Sequence, residues 1–123
     1  MLVKHLNSIK SKLIGDKMPL ERLKRKMTKE VMWIYVLKLL QNRPMYAYEL
    51  KNEIKERFAW APATITSYVV LYRLQSEGYV TAKWGDESTN PRRKYYYITE
   101  KGEKLLEDGE VFLRNIIKVL FES

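Results

Sequence analysis

Gly78 marks the point at which this chain changes period. Ahead of it, apolar residues recur every three or four positions, the spacing that aligns side chains along one face of an α-helix. Directly after it, Tyr79-Val80-Thr81-Ala82-Lys83-Trp84 is a run of β-formers. A turn-rich stretch at 85–91 and a second β-rich run at 94–99 follow, the pattern of a hairpin with a polar tip. Helical spacing then returns, through Leu105, Leu106, Phe112, Leu113, Ile116, Ile117, Leu120 and Phe121. A glycine at the end of the helical stretch is what lets the chain reverse into a strand. The expected fold is mainly α, with one small antiparallel β-hairpin.

Three core helices are expected before the hairpin. The first carries Val31, Ile34, Leu37 and Leu40 on one face, with Thr28 placed to cap it and Pro44 to stop it. The second spans 45–58, with Tyr48 or Ala47 joining Leu50, Ile54 and Phe58 on the apolar side and Lys51, Glu53, Lys55 and Glu56 opposite. The third begins at 61–63, with Pro62 in its first turn, and runs to Glu77. At 100° per residue it groups Ser67, Val70, Leu71 and Leu74, here assigned to the core. Ile65, Tyr68, Val69, Tyr72, Arg73 and Ser76 fall on the other side. That side has two readings: a groove-facing surface, or packing of Val69 and Tyr72 on a neighbouring helix.

Composition narrows the function. With 46% hydrophobic residues in 123, the chain can build a core, and its net charge of +8 draws it to polyanions, nucleic acid or an acidic membrane surface. Residues 1–30 hold nine basic and three acidic side chains, so most of the excess sits in a basic N-terminal arm, 1–27. Within it Leu2, Leu6, Ile9 and Leu13 make an amphipathic helical stripe, whose narrow, aromatic-free face argues against membrane binding. The longest apolar run, 31–40, contains Lys38 and is too short to span a bilayer, and no signal peptide is visible, so a cytoplasmic location is expected. The absence of cysteine and the single His5 leave no disulfide framework and no all-protein zinc site. No paired carboxylates, nucleophile triad or phosphate-cradling glycine loop is visible, so neither catalysis nor a cofactor is expected.

Three helices followed by a charged hairpin is the element order of a winged helix-turn-helix. The chain resembles the PadR family of transcriptional regulators in three stretches. These are Met45-Tyr46-Ala47-Tyr48-Glu49-Leu50, Leu71-Tyr72-Arg73-Leu74-Gln75-Ser76-Glu77-Gly78-Tyr79-Val80, and Pro91-Arg92-Arg93-Lys94-Tyr95-Tyr96-Tyr97-Ile98-Thr99-Glu100-Lys101-Gly102. Five residues separate Pro62 from Tyr68, a longer spacer than the family shows, which leaves the start of the third helix open by a few residues. The resemblance implies a transcriptional repressor with a winged-helix domain at 28–99.

Residue by residue, the expected partner is double-stranded DNA. Thr64, Ile65, Thr66, Ser67, Tyr68, Tyr72 and Arg73 of the third helix would face the major groove. Arg92, Arg93 and Lys94 of the wing would meet phosphates or the minor groove, with Asp86 and Glu87 turned away. Tyr95 and Ile98 would anchor the hairpin. In the last helix, 100–123, Leu106, Phe112, Leu113, Ile116, Ile117 and Leu120 make a stripe broader than one core-facing seam needs, which suits a homodimer on a pseudo-palindromic operator. Trp33, Trp60 and Trp84 either line a small-molecule effector pocket or belong to the core. The rival to DNA binding is a winged-helix module that docks on another protein.

Overall fold

The computed structural model describes residues 18–122, so the amphipathic stripe at 2–13 lies outside the described residues. The chain divides at residue 31 into two units. In the first, helix α1 (Pro19–Lys26) opens on a proline and closes with Lys24, Arg25 and Lys26, cations placed favourably at the negative end of the helix dipole. The Thr28 hydroxyl donates to the Lys24 carbonyl at 2.9 Å. Thr28 therefore closes α1 and does not cap the next helix; a single 3₁₀ turn, Lys29–Val31, follows it.

The second unit is built around helix α2 (Met32–Leu40), where Met32, Val36, Leu37, Leu39 and Leu40 are all buried. A helix apolar on nearly every side must be covered from every side. The other elements supply the cover: α3 (Ala47–Phe58), α4 (Thr64–Ser76), α5 (Glu100–Phe121) and a sheet of β1 (Met45–Tyr46), β2 (Val80–Trp84) and β3 (Lys94–Ile98). From α3 come Leu50 and Ile54, and from α4 Leu71 and Leu74. Tyr48 is exposed, so Ala47 is the residue that joins the apolar side of α3.

The sheet has three strands in the order β1-β3-β2, all antiparallel, where the sequence pattern implied two. Met45 and Tyr46, expected in a helix, pair instead with Tyr96 and Tyr95. Pro44 pushes the backbone before it to extended geometry, and the chain stays extended long enough to add an edge strand. Among the three consecutive tyrosines it is Tyr96 that is buried, not Tyr95, and Ile98 shares its face of the strand. Helix α4 starts at Thr64, three residues later than expected, because Pro62 is buried in the connection and Ala63 keeps extended geometry.

One junction joins α4, the sheet and α5. At the end of α4, Gly78 takes φ +83, and the amides of Tyr79 and Gly78 return to the carbonyls of Leu74 and Gln75, a Schellman cap. The Thr99 hydroxyl donates to the Gly78 carbonyl at 2.7 Å and accepts the Gly102 amide at 3.1 Å as N-cap of α5. Gly102 sits so close to Tyr79 that a Cβ would strike that residue's carbonyl oxygen and come within 2.8 Å of Ile98 Cγ1. Gly102→Ala is therefore expected to destabilise the fold by about 1–2 kcal/mol, the collision with backbone outweighing the helix-propensity gain of about 1 kcal/mol. Urea unfolding measures this, and an unchanged or raised midpoint would show that the junction yields.

Candidate nucleic-acid interface

Helices α3 and α4, joined by a short connection, form the helix-turn-helix. Helix α3 ends at Ala59 in the left-handed conformation, and Lys51 of α3 donates to the Thr64 hydroxyl at 2.8 Å, fixing the first residue of α4. Sequence reasoning left Lys51 on the outer polar face of its helix and missed this link, for which the period gives no signal.

Helix α4 is divided as the 100° wheel placed it. Leu71 and Leu74 are buried and Val70 is half-buried. Thr64, Thr66 and Arg73 are exposed, and so are Ile65 at 79%, Tyr68 at 56% and Tyr72 at 72%. Val69 and Tyr72 do not pack against another helix of the second unit; both face solvent. Ser67, assigned both to the core and to the groove face, belongs only to the core: it is buried and its hydroxyl donates to the Ala63 carbonyl at 2.9 Å. The outer face of α4 thus presents methyl groups, a phenol pair, two hydroxyls and a guanidinium. That set can meet thymine methyls, base edges and phosphates.

The wing is the β2–β3 hairpin. Its turn closes through the Gly85 amide on the Arg93 carbonyl at 2.7 Å and the Arg93 amide on the Asn90 carbonyl at 3.0 Å. Asn90 also holds the Arg92 amide with its side-chain oxygen at 2.9 Å. The Asp86 carboxylate accepts the Ser88 hydroxyl at 2.6 Å and the Ser88 amide at 2.9 Å. These bonds, the hydroxyl's first, hold the Asp86 carboxyl below the usual carboxylate range.

Arg92, Arg93 and Lys94 do not form one cluster at the tip. Arg92 is exposed in the turn. Arg93 lies on the ring of Tyr46 at 4.3 Å, and that ring meets Tyr95 edge-on at 5.6 Å. Lys94 begins β3 and lies 5.8 Å from the ring of Tyr96, while Lys83 lies 5.3 Å from that of Tyr97. The cations of the wing thus rest on tyrosines on both faces of the hairpin: Arg93 and Lys83 on the side of Tyr46, Tyr95 and Tyr97, and Lys94 on the side of Tyr96. Tyr46 was not among the residues read as functional; its role becomes visible only once β1 is known to be a strand. Burial, and secondarily the nearby phenol of Tyr68, raises the Tyr96 phenol above its ordinary range. This links the buried side of the wing to α4.

On α5, Leu106 is only 8% exposed and packs in the core, so it does not belong to the exposed stripe in which the sequence placed it. It faces inward because the first half of α5 lies on α2, where Trp33 packs against Gly109. Phe112, Ile116, Ile117 and Leu120 are exposed, together with Val111, Val119 and Phe121, and Leu113 is half-buried. Ile34, Ile98, Leu106, Leu113 and Ile117 line a groove of about 1070 Å³ along α5, rimmed by Glu103, Glu107 and Glu110. No tryptophan lines it. Trp60 stacks edge-on against Tyr35 at 5.1 Å, and Trp84 stands exposed on the wing. Trp33 and Trp60 pack against the core, and Trp84 does not. Among the described residues no group of acids and His could hold a metal ion, and no helix is long and apolar enough to cross a membrane.

Residues 36–108 match the model of the transcriptional regulator PadR-like family. An uncharacterised protein of Lysinibacillus sphaericus is 35% identical over 77 residues, covering 59% of this chain and 69% of that protein. A PadR family transcription regulator from Clostridium difficile is similar in structure, with TM-score 0.66, 28% identity and coverage of 73% of this chain and 94% of the other. A PadR-like transcription factor from Bacteroides fragilis gives TM-score 0.67, 27% identity and coverage of 80% and 95%. Bacillus subtilis PadR in complex with operator DNA gives TM-score 0.59 and 25% identity, covering 66% of this chain and 47% of that one.

The wing turn has a pH signature. Because the Asp86 value is depressed in the folded turn, its hydrogen bonds are intact above the ordinary carboxylate range and are lost as pH falls through the depressed midpoint. Carboxyl ¹³C titration by NMR is expected to place the Asp86 midpoint below that of a free aspartate, and Ser88→Ala to move it upward. A midpoint unmoved by Ser88→Ala would take the hydroxyl out of the explanation.

Proposed function

This chain belongs to the PadR-like family of transcriptional regulators, and on that premise we propose that it is a homodimeric repressor that binds a pseudo-palindromic operator through α4 and the wing. The observation that carries the proposal is the outer face of α4. Ile65, Tyr68, Val69 and Tyr72 stand exposed on a helix whose opposite face is fixed in the core. Leaving four large apolar or aromatic side chains in water adds nothing to the stability of the protomer, whereas a major groove offers methyl groups and base edges to them. Thr64, Thr66 and Arg73 add the polar contacts, and Arg92, Arg93 and Lys94 supply phosphate contacts that set register without reading sequence.

The dimer rests on α5. Its exposed apolar residues span the last eleven positions of the helix, from Val111 to Phe121. A second copy of the same helix would bury them about a two-fold axis. Two α4 helices would then present themselves to half-sites about one turn of DNA apart, ~34 Å, or a multiple of it. The operator-bound structure of Bacillus subtilis PadR supports DNA as the partner, and repression follows if that operator overlaps a promoter. The basic segment 19–26 adds positive charge whose contribution should be screened by salt.

Selection of bound duplexes from a random pool is expected to recover a two-fold symmetric site, and no enrichment would overturn the proposal. On the selected site, Arg92→Ala combined with Arg93→Ala is expected to weaken binding about equally across sequences. It should also lower the slope of log affinity against log salt by about one to two. A changed sequence preference with an unchanged slope would mean that the wing reads bases.

A further inference from the structure

Trp84 is the most exposed of the large apolar side chains of the sheet, at 68% against 37% for Tyr97. A single exposed apolar residue is ordinary, but the place of this one is not. Side chains alternate along β2, so Val80, Ala82 and Trp84 share a face, the one that Val80 buries in the core. Their partners across the ladder are Ile98, Tyr96 and Lys94. Trp84 and Lys94 therefore continue the inward face of the sheet beyond the edge of the core, where no element covers it. Next along that face is Tyr96, and beside Tyr96 is Tyr68 on the exposed side of α4. Trp84 and Lys94 thus lie at the far end of the face that begins in the core with Val80 and Ile98.

The charge around the indole indicates what it meets. Lys94 stands directly opposite on the same face, and Arg92 and Arg93 close the same hairpin, while Lys83 adds its charge from the other face. Of the two acids in the turn, Asp86 is engaged by Ser88 and Glu87 is exposed. A polyanion is the complementary surface. An indole offers a flat apolar plane and one N–H donor, which matches a deoxyribose face next to a phosphate oxygen. Apolar wedges that unstack base steps must reach deep into the groove. Trp84 is set back on a strand, with residues 85–93 projecting past it, a placement that suits the wall of a groove better than the stacked bases.

We propose that Trp84 is a duplex-contacting residue of the wing, its indole lying against the sugar–phosphate wall of the minor groove flanking the segment read by α4. The inference rests on the DNA-binding reading above and adds a neutral contact to its charged ones. An uncharged contact releases no counterion, so it contributes affinity without adding to the salt slope.

Two measurements on the full chain and its selected duplex test this. In the first, acrylamide quenching is compared for the wild type and Trp84→Phe, the difference isolating the Trp84 emission. That emission is expected to be readily quenched in the free protein and shielded when duplex is added. In the second, Trp84→Ala is expected to bind about five- to tenfold more weakly with its salt slope unchanged, its far-UV helical signal matching the wild type. Equal quenching in free and bound protein, or full affinity in Trp84→Ala, would overturn the inference while leaving DNA binding in place. Shielding that tracks protein concentration without duplex would assign the indole to self-association and overturn it too. A wild type with no salt-sensitive duplex binding would overturn the DNA-binding reading itself, and this inference with it.

Discussion

The hydroxyl of Thr99 donates to Gly78 at the end of α4 and accepts from Gly102 at the start of α5, and it does so from the residue that directly follows β3. The end of α4, the base of the wing and the start of the long C-terminal helix meet at that atom. Lys101 reinforces it, donating to the Glu77 carbonyl at 2.6 Å while its ammonium lies 4.7 Å from the ring of Tyr79. The amide of Thr99 bonds to the carbonyl of Tyr79 at 3.1 Å. Helix ends leave carbonyls and amides without intrahelical partners, and here two side chains meet them: the Thr99 hydroxyl accepts the Gly102 amide of α5, and the Lys101 ammonium donates to the Glu77 carbonyl behind α4. Each such bond contributes about 1 kcal/mol, but their greater effect is geometric. With Gly78 held in the left-handed region and Gly102 against Tyr79, α5 cannot tilt without disturbing the end of α4 and the base of the wing.

The interior explains why the surface can be given over to recognition. Helix α2 is covered on most of its circumference, with Lys38 left exposed, and Met32, Val36, Leu37 and Leu39 are each at most 2% exposed. Stability therefore resides in a core that draws on only one face of α4 and the first half of α5. The ion pairs add little: Lys24 with Glu21, Lys104 with Asp108 and Arg114 with Glu110 are all solvent-exposed pairs along helices. The outer face of α4 and the distal half of α5 are thereby free to carry apolar residues that the protomer itself does not need.

Legibility in the sequence followed the length of the pattern. Helix α2 and the inward residues Leu71 and Leu74 were readable because a stripe repeated over several turns admits one interpretation. Strand β1 was not, since two residues, Met45 and Tyr46, are too few to establish an alternation. Tyr95-Tyr96-Tyr97 defeated the reading differently: identical residues give no sign of which one points inward, and a one-residue shift reverses every face. Pro62 has the look of a first-turn proline, yet its buried ring lies before the helix. Leu106 and Leu113 lie on one continuous stripe, and only the extent of α2 beneath α5 decides that the first is core and the second borders the groove. Ser67 could be assigned twice because a small hydroxyl suits both a tight helix contact and a groove.

The cations of the wing are held differently from the residues of α4, and the difference matches what each would meet. A flexible Lys or Arg that binds a phosphate gives up side-chain entropy, a cost of order 1–2 kcal/mol for each residue fixed. Arg93 on Tyr46, Lys83 by Tyr97 and Lys94 by Tyr96 are already restricted by an aromatic surface, so part of that cost is met on folding. Phosphates recur at fixed spacing along any duplex, and charges restricted in advance suit a target that does not vary. Tyr68, Tyr72 and Arg73 are presented on the outer face of α4 at its middle and end, where the core fixes the backbone but leaves the side chains in solvent. Base edges do vary, and side chains with room to choose among rotamers on a rigid helix are suited to that kind of target.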